Sequence, residues 1–309
     1  MTHGLHHVTA ISGAAQANVD FYVGLLGLRM VKKTVNFDDP GTYHLYYGDA
    51  LGSPGSLLTF FPWANAAPGR RGPGETAATA YAVPAGSLDG WMERLADRAT
   101  DFDAPSERFG QRVLTLRDPD GMVVELVEDD AVSAQEEDWT SPAGDLAPVR
   151  FHSVTLCTHR PDATARVLTD LLGYAEDQSS DGRTRFVNPN GSGLVDLSCE
   201  GIGERGRSGK GTVHHVAFRV PTDEAQREVR EALSSAGLQV TGVRDRQYFR
   251  SIYFREPGGV LFEVATDPPG FTADEPLESL GEALKLPPQY EELRPRLERT
   301  LPTLTVPTR

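Results

Sequence analysis

Cysteine is nearly missing from this chain: two residues, Cys157 and Cys199, in 309. They lie far apart in no redox or metal-finger spacing, which argues against a disulfide framework and a thiolate metal site. Positive charge is also short, with 30 lysines and arginines against 44 aspartates and glutamates and a net charge of −14. A chain this acidic, with no basic run, is not expected to bind nucleic acid. No segment approaches the roughly 18 consecutive apolar residues of a membrane span. The first residues, MTHGLHHVTA, have neither the charged start nor the apolar run of a secretion signal. The expectation is a cytoplasmic protein with no membrane partner, long enough to bury a large core in two domains.

Histidine is scarce as well, yet four of the eight form two doublets, His6-His7 and His214-His215. Each doublet opens a strand-like segment, LHHVTAI and VHHVAFRV, and a third such segment, GGVLFEVATD, carries Glu263. One histidine from each doublet with that glutamate would form a two-histidine, one-carboxylate site. Such a donor set holds iron(II) on one face and leaves the other open.

Internal repetition gives the organisation. GLHHVTAI (4–11) aligns with RFHSVTLC (150–157), and the same offset places Leu25-Leu26-Gly27-Leu28 on Leu171-Leu172-Gly173-Tyr174. RDPDGMVVELVED (117–129) aligns with REPGGVLFEVATD (255–267), so Glu125 falls on Glu263, and AATAYAVP (77–84) aligns with HHVAFRVP (214–221). Each half is itself double: a strand, an amphipathic helix, then short strands. The helices are read as Ala14–Leu26, Ser87–Arg98, Asp162–Leu172 and Thr222–Ala236, with Gly27, Gly173 and Gly237 as stops. The unit is βαβββ, four times over, an α+β architecture. The expected division is an N-terminal domain over 1–130, a linker over 131–149, a C-terminal domain over 150–268 and a capping tail over 269–309, with a short helix near Gln289–Arg299.

Alternation along a strand chooses between the paired histidines. His6 shares a face with Val8 and Ala10, and His214 with Val216 and Phe218; these faces should pack on helices. His7, His215 and Glu263 take the other face, unless a bulge breaks the alternation. The positions matching His7, His215 and Glu263 in the other halves are Ser153, Ala78 and Glu125, so one live metal site and one without nitrogen donors are expected. Glu125 and His152 are read as structural, while His3, His44 and His159 carry no partner signal.

With these residues in view, the chain resembles the vicinal oxygen chelate (glyoxalase/extradiol dioxygenase) superfamily, and within it the hydroquinone ring-cleaving dioxygenases. The resemblance covers most of the chain, including LHHVTAI, YHLYYGDALGSPGSLLTFFP (43–62), RFGQR (108–112), HHVAF (214–218), PGGVLFE (257–263) and GFTADE (270–275). It implies four modules paired into two half-barrel domains. It also implies metal ligands His7, His215 and Glu263, substrate contacts from His6 and Thr9, and catalytic roles for Tyr253, His214 and Arg246. The implied cofactor is Fe(II), with Mn(II) an alternative in the same donor set. O2 is the co-substrate, a small aromatic the substrate, and a homo-oligomer is compatible with the family.

Three other readings remain open. A catechol-cleaving extradiol dioxygenase differs in having adjacent substrate hydroxyls. A glyoxalase-type lyase or isomerase needs a fourth protein ligand. Aligning PGSLLTFF and GSGLVDLSC with the Glu263 segment puts Phe60 at that position and Leu197 near it, and neither can ligate. A metal-free binding protein would not need the complete triad.

Overall fold

The structure is a computed structural model and describes residues 1–133, 139–199 and 203–307. Four βαβββ modules follow one another. The first has strands β1 (Leu5–Ser12), β2 (Arg29–Asn36), β3 (Asp39–Gly48) and β4 (Leu57–Pro62). The second has β5 (Glu75–Pro84), β6 (Ser106–Arg108), β7 (Gln111–Arg117) and β8 (Val123–Asp129). The third has β9 (Arg150–Cys157), β10 (Ala175–Ser180), β11 (Arg183–Val187) and β12 (Leu194–Ser198). The fourth has β13 (Thr212–Val220), β14 (Arg244–Asp245), β15 (Arg250–Arg255) and β16 (Leu261–Thr266).

A helix follows the first strand of each module, within a residue or so of its expected place. Helix α1 runs over Ala15–Val19 and continues as a π-helical turn over Asp20–Leu25. Helix α2 is Leu88–Asp97, and α3 is Pro161–Arg166 with a π-helical extension over Val167–Leu171. Helix α4 is Asp223–Ser235, started by the Thr222 side chain, which accepts from the Ala225 amide. Gly27, Gly173 and Gly237 stop three of these helices at positive φ, where a residue with a Cβ would be strained.

The sixteen strands form two curled half-barrel sheets of eight. Their composition does not follow the two sequence halves. One sheet runs β14-β15-β16-β13-β1-β4-β3-β2, joining the first module to the fourth. The other runs β10-β11-β12-β9-β5-β8-β7-β6, joining the second to the third. In each, the antiparallel seam is made by two module-opening strands, β1 with β13 and β5 with β9. The His6-His7 and His214-His215 doublets therefore meet in the middle of one sheet.

Val8, Ala10, Val216, Phe218, Phe262 and Val264 enter the main core with the helices. A smaller cluster including Tyr46, Tyr248, Phe249 and Phe271 lies on the other side of the first sheet. The tail covers that sheet's exposed edge. Lys285 donates its amide to the Lys33 carbonyl of β2, and Tyr290 donates to the Phe37 carbonyl. Lys32, fully buried, is held by Asp274 at 2.7 Å and Glu275 at 2.8 Å. The expected tail helix is a 3-10 turn, Pro288–Leu293, leading into α5 (Arg294–Thr300). Five residues of the linker, 134–138, lie outside the described residues. No helix among the described residues is long and apolar enough to cross a membrane.

Candidate metal centre

Three side chains from three adjacent strands converge on the concave face of the first sheet. His7 Nε2 lies 3.4 Å from Glu263 Oε2, His215 Nε2 lies 2.8 Å from the same oxygen, and the two Nε2 atoms are 3.3 Å apart. All three residues are buried. They form the only such cluster of potential metal-ligating groups among the described residues. Burial pushes the Glu263 carboxyl upward, but the two imidazoles more than offset it and hold it well below the usual carboxylate range. Burial lowers His215, which favours the neutral imidazole a metal requires.

The donor set tests well against a divalent cation. Glu263 Oε1 accepts from Ser251 Oγ, while Oε2 is buried with no hydrogen bond of acceptable geometry. An orphaned carboxylate oxygen facing two imidazole nitrogens is costly unless a cation sits among them. The outward nitrogens are already committed. His7 Nδ1 is 2.9 Å from His6 Nδ1, and His215 Nδ1 is 2.7 Å from His214 Nδ1. If His6 and His214 accept there, each candidate ligand carries its proton on Nδ1 and presents a lone pair on Nε2 to the centre.

Neighbouring residues on a regular strand could not meet ring to ring in this way. The strands are bulged at both doublets. The β1–β13 register slips between Leu5 and His7, leaving His6 as the extra residue, and again where Thr9 faces His215 and Ala10 faces Val213, leaving His214 extra. Alternation alone sends these two histidines to the helix side; the bulges turn them back toward the ligands. His6→Ala or His214→Ala should weaken metal binding roughly 10–100-fold, as loss of an outer-shell partner does. A competition titration measures this, and an unchanged affinity would remove the orienting role.

Beside the triad lies a cavity of about 240 Å³. His214, Arg246 and Tyr253 line it from the fourth module, and Asp38, His44, Tyr46 and Phe61 from the first. His6 and Thr9 are not among its lining residues: Thr9 Oγ1 instead bonds Thr59 Oγ1 at 2.8 Å. Arg246 donates from Nε to the Tyr253 hydroxyl at 3.1 Å and pairs with Asp38, also at 3.1 Å. Burial, followed by the Glu263 charge, raises the Tyr253 phenol well above its ordinary range, so it stays protonated. Sequence reasoning missed His44, Tyr46 and Asp38, because β2 and β3 reach the site only through sheet pairing.

The equivalent place in the second sheet is built differently. It keeps the same bulges, with Ala77 and His152 as the extra residues. His152 Nδ1 contacts Ser153 Oγ at 3.1 Å and its Nε2 contacts Gln111 at 3.0 Å. Glu125, the counterpart of Glu263, takes a bidentate pair from Arg108 at 2.7 and 2.8 Å. A guanidinium stands in this sheet where the first offers imidazoles.

Strand pairing also corrects the expected fourth-ligand positions. Ala217 faces Glu263 across β13–β16, and the matching pair across β1–β4 is Thr9 with Thr59. In the third module the pair is Thr155 with Asp196. Thr59 and Asp196, not Phe60 and Leu197, therefore occupy the position of Glu263. Phe60 and Leu197 belong to the main core. Asp196 is a carboxylate, but it lies in the other sheet and is bound by Arg185 at 2.9 and 3.0 Å.

Known proteins resemble this chain over nearly its whole length. The family model described as "Glyoxalase/Bleomycin resistance protein/Dioxygenase superfamily" matches residues 4–126 and 150–264. A Bacillus subtilis (strain 168) protein named "Putative ring-cleaving dioxygenase MhqO" is 45% identical over 304 residues, 97% of this chain and 96% of that one. The "Chlorohydroquinone/hydroquinone 1,2-dioxygenase" of Sphingobium indicum is 39% identical over 311 residues, 96% and 95% of the two chains. The crystal structure of a "putative dioxygenase" from Bacillus subtilis superposes with a TM-score of 0.95 at 44% identity, covering 100% of this chain and 99% of that one.

Proposed function

This chain belongs to the glyoxalase/bleomycin resistance protein/dioxygenase superfamily as one of its ring-cleaving dioxygenases, and we propose that its substrate is a hydroquinone opened with O2 at an iron(II) held by His7, His215 and Glu263. The observation that carries this reading is the buried triad with its unpartnered Glu263 oxygen beside a ring-sized cavity. Two neutral imidazoles and one carboxylate suit iron(II), and manganese(II) takes the same donors. The bound metal would supply the electronic link between an electron-rich ring and O2, both of whose atoms enter the product.

The chain's own groups bind, orient and move protons. A cavity of about 240 Å³ suits a single aromatic ring; an engineered apolar cavity of roughly 150 Å³ in another protein accepts benzene. Phe61 and Phe249 supply apolar walls, which holds the ring against the metal face and limits water. Tyr253, kept protonated by burial, is placed to donate to an oxygen on the substrate. Arg246 fixes the Tyr253 hydroxyl and brings positive charge to the oxygens that become anionic. His214 is exposed, and it lines both this cavity and a neighbouring pocket with Arg205 and Arg255. Enclosure of its ring, followed by the neighbouring His215, lowers its pKa to about 3, so it stands neutral and can relay a proton toward solvent but not hold one.

The experiment is oxygen uptake by iron-loaded protein on hydroquinones, catechols and the methylglyoxal–glutathione adduct. Uptake with hydroquinones above catechols is expected. Uptake with catechols alone moves the assignment to the extradiol enzymes, and conversion of the adduct without uptake overturns it. Tyr253→Phe should lower turnover roughly 10²–10⁴-fold, the range for a lost general acid–base group. Steady-state kinetics measure it, and unchanged turnover would return Tyr253 to a packing role.

A further inference from the structure

The first sheet is close to two-fold symmetric about the β1–β13 seam, and of its four matched donor positions one breaks the symmetry. His7 matches His215, and their bulged partners His6 and His214 match each other. On the next strand out, Glu263 of β16 matches Thr59 of β4. One strand further, Tyr253 faces Glu263 and Tyr46 faces Thr59. Two residues before each tyrosine stand Ser251 and His44, and each bonds the residue at the ligand position. Ser251 donates to Glu263, and His44 Nε2 lies 2.9 Å from Thr59 Oγ1. A symmetric site would have four donors; this one has three because position 59 is a threonine.

We propose that Thr59 is the specificity-determining residue that keeps the metal site three-sided, and that His44 is its positioning residue. This rests on the triad as a metal site and goes beyond it. Thr59 is completely buried and its hydroxyl is shared between His44 and Thr9. His44 is fixed in turn by the Tyr46 hydroxyl, 2.8 Å from its Nδ1. The row Tyr46–His44–Thr59–Thr9 crosses three strands and uses the threonine oxygen entirely within the protein. A β-branched side chain is also too short to reach the centre that Glu263 reaches from the matching place. The coordination face on the first-module side therefore stays open, as a metal that must take two reactants together requires.

The symmetry supplies its own test. The double variant His44→Ser/Thr59→Glu copies the Ser251–Glu263 pair into the first module and should create a fourth donor. Zn(II), which accepts four nitrogen and oxygen donors tetrahedrally, is the probe, titrated against a chromophoric chelator. The variant is expected to bind Zn(II) at least about tenfold more tightly than wild type, since a gained direct donor should count for no less than an outer-shell partner, whose loss costs roughly 10–100-fold. Its hydroquinone-dependent oxygen uptake should be lost when loaded with iron. Thr59→Gln, neutral and similar in length, should give no such tightening. Thermal melting monitors the fold, and Thr59→Glu and Thr59→Asp alone carry the test if the double variant does not fold. Folded carboxylate variants with wild-type Zn(II) affinity overturn the proposal. Wild-type protein that binds no Zn(II) overturns instead the triad on which it rests.

Discussion

Glu263→Ala is expected to abolish ring cleavage and metal retention together. The side chain is wholly buried at the centre of the sheet, and its Oε2 is the atom nearest both imidazoles, 2.8 Å from His215 and 3.4 Å from His7. Removing it takes away the site's negative charge and one of three donors. The loss should exceed the roughly 10–100-fold seen when an outer-shell partner is removed. Glu263→Gln is the sharper version. It keeps the size and leaves an oxygen for Ser251, but an amide is a poor donor for a hard cation, so metal binding should still fail. Metal analysis after gel filtration, beside oxygen uptake, measures both. A Glu263→Gln protein that keeps full metal content would mean that shape rather than charge holds the ion.

The second large effect concerns the sheet without a metal centre. Arg108→Ala should destabilise the protein by about 3–5 kcal/mol, because it leaves a buried carboxylate without its counter-charge. Glu125 is 4% exposed and depends on the bidentate Arg108 pair. Replacing both with methionine should be close to neutral, since an apolar pair avoids the desolvation cost. Chemical denaturation of the two variants separates these outcomes. A loss below about 1 kcal/mol for Arg108→Ala would put the pair in the class of surface ion pairs. Metal affinity should be unchanged in both, because Arg108 and Glu125 belong to the other sheet. The two buried glutamates at matching positions thus differ in what neutralises them.

The modules were legible because their signals are local. Four strand–helix–strand patterns, their glycine stops and their repeat offsets can be read within short windows, and the four helices lie within a residue or so of their expected limits. The convergence of His7, His215 and Glu263 was legible for a related reason: alternation holds along each strand from the bulge onward. That the first and fourth modules share the site followed from the triad, but the joining of their strands into one sheet was hidden, because sheet partners are chosen by contacts between halves, on which the repeat is silent. The bulges at His6 and His214 were hidden too, since an extra residue leaves no mark in a run of valines and histidines. A gapless alignment misplaced the Glu263 counterpart by one residue, at Phe60 instead of Thr59. A one-residue slip exchanges the two faces of a strand, so this small error turned a buried hydroxyl on the ligand face into a core aromatic. His44 carried no signal at all. It acquires meaning only once β3 lies beside β4 and its ring meets Thr59 and Tyr46.

The most direct measurement of the central claim is an anaerobic iron(II) titration of the metal-stripped protein, wild type beside His7→Ala. One equivalent per chain in the wild type and none retained in the variant is the predicted result. Iron retained undiminished by His7→Ala, or a second equivalent bound with similar affinity, would contradict a single centre shared by the first and fourth modules.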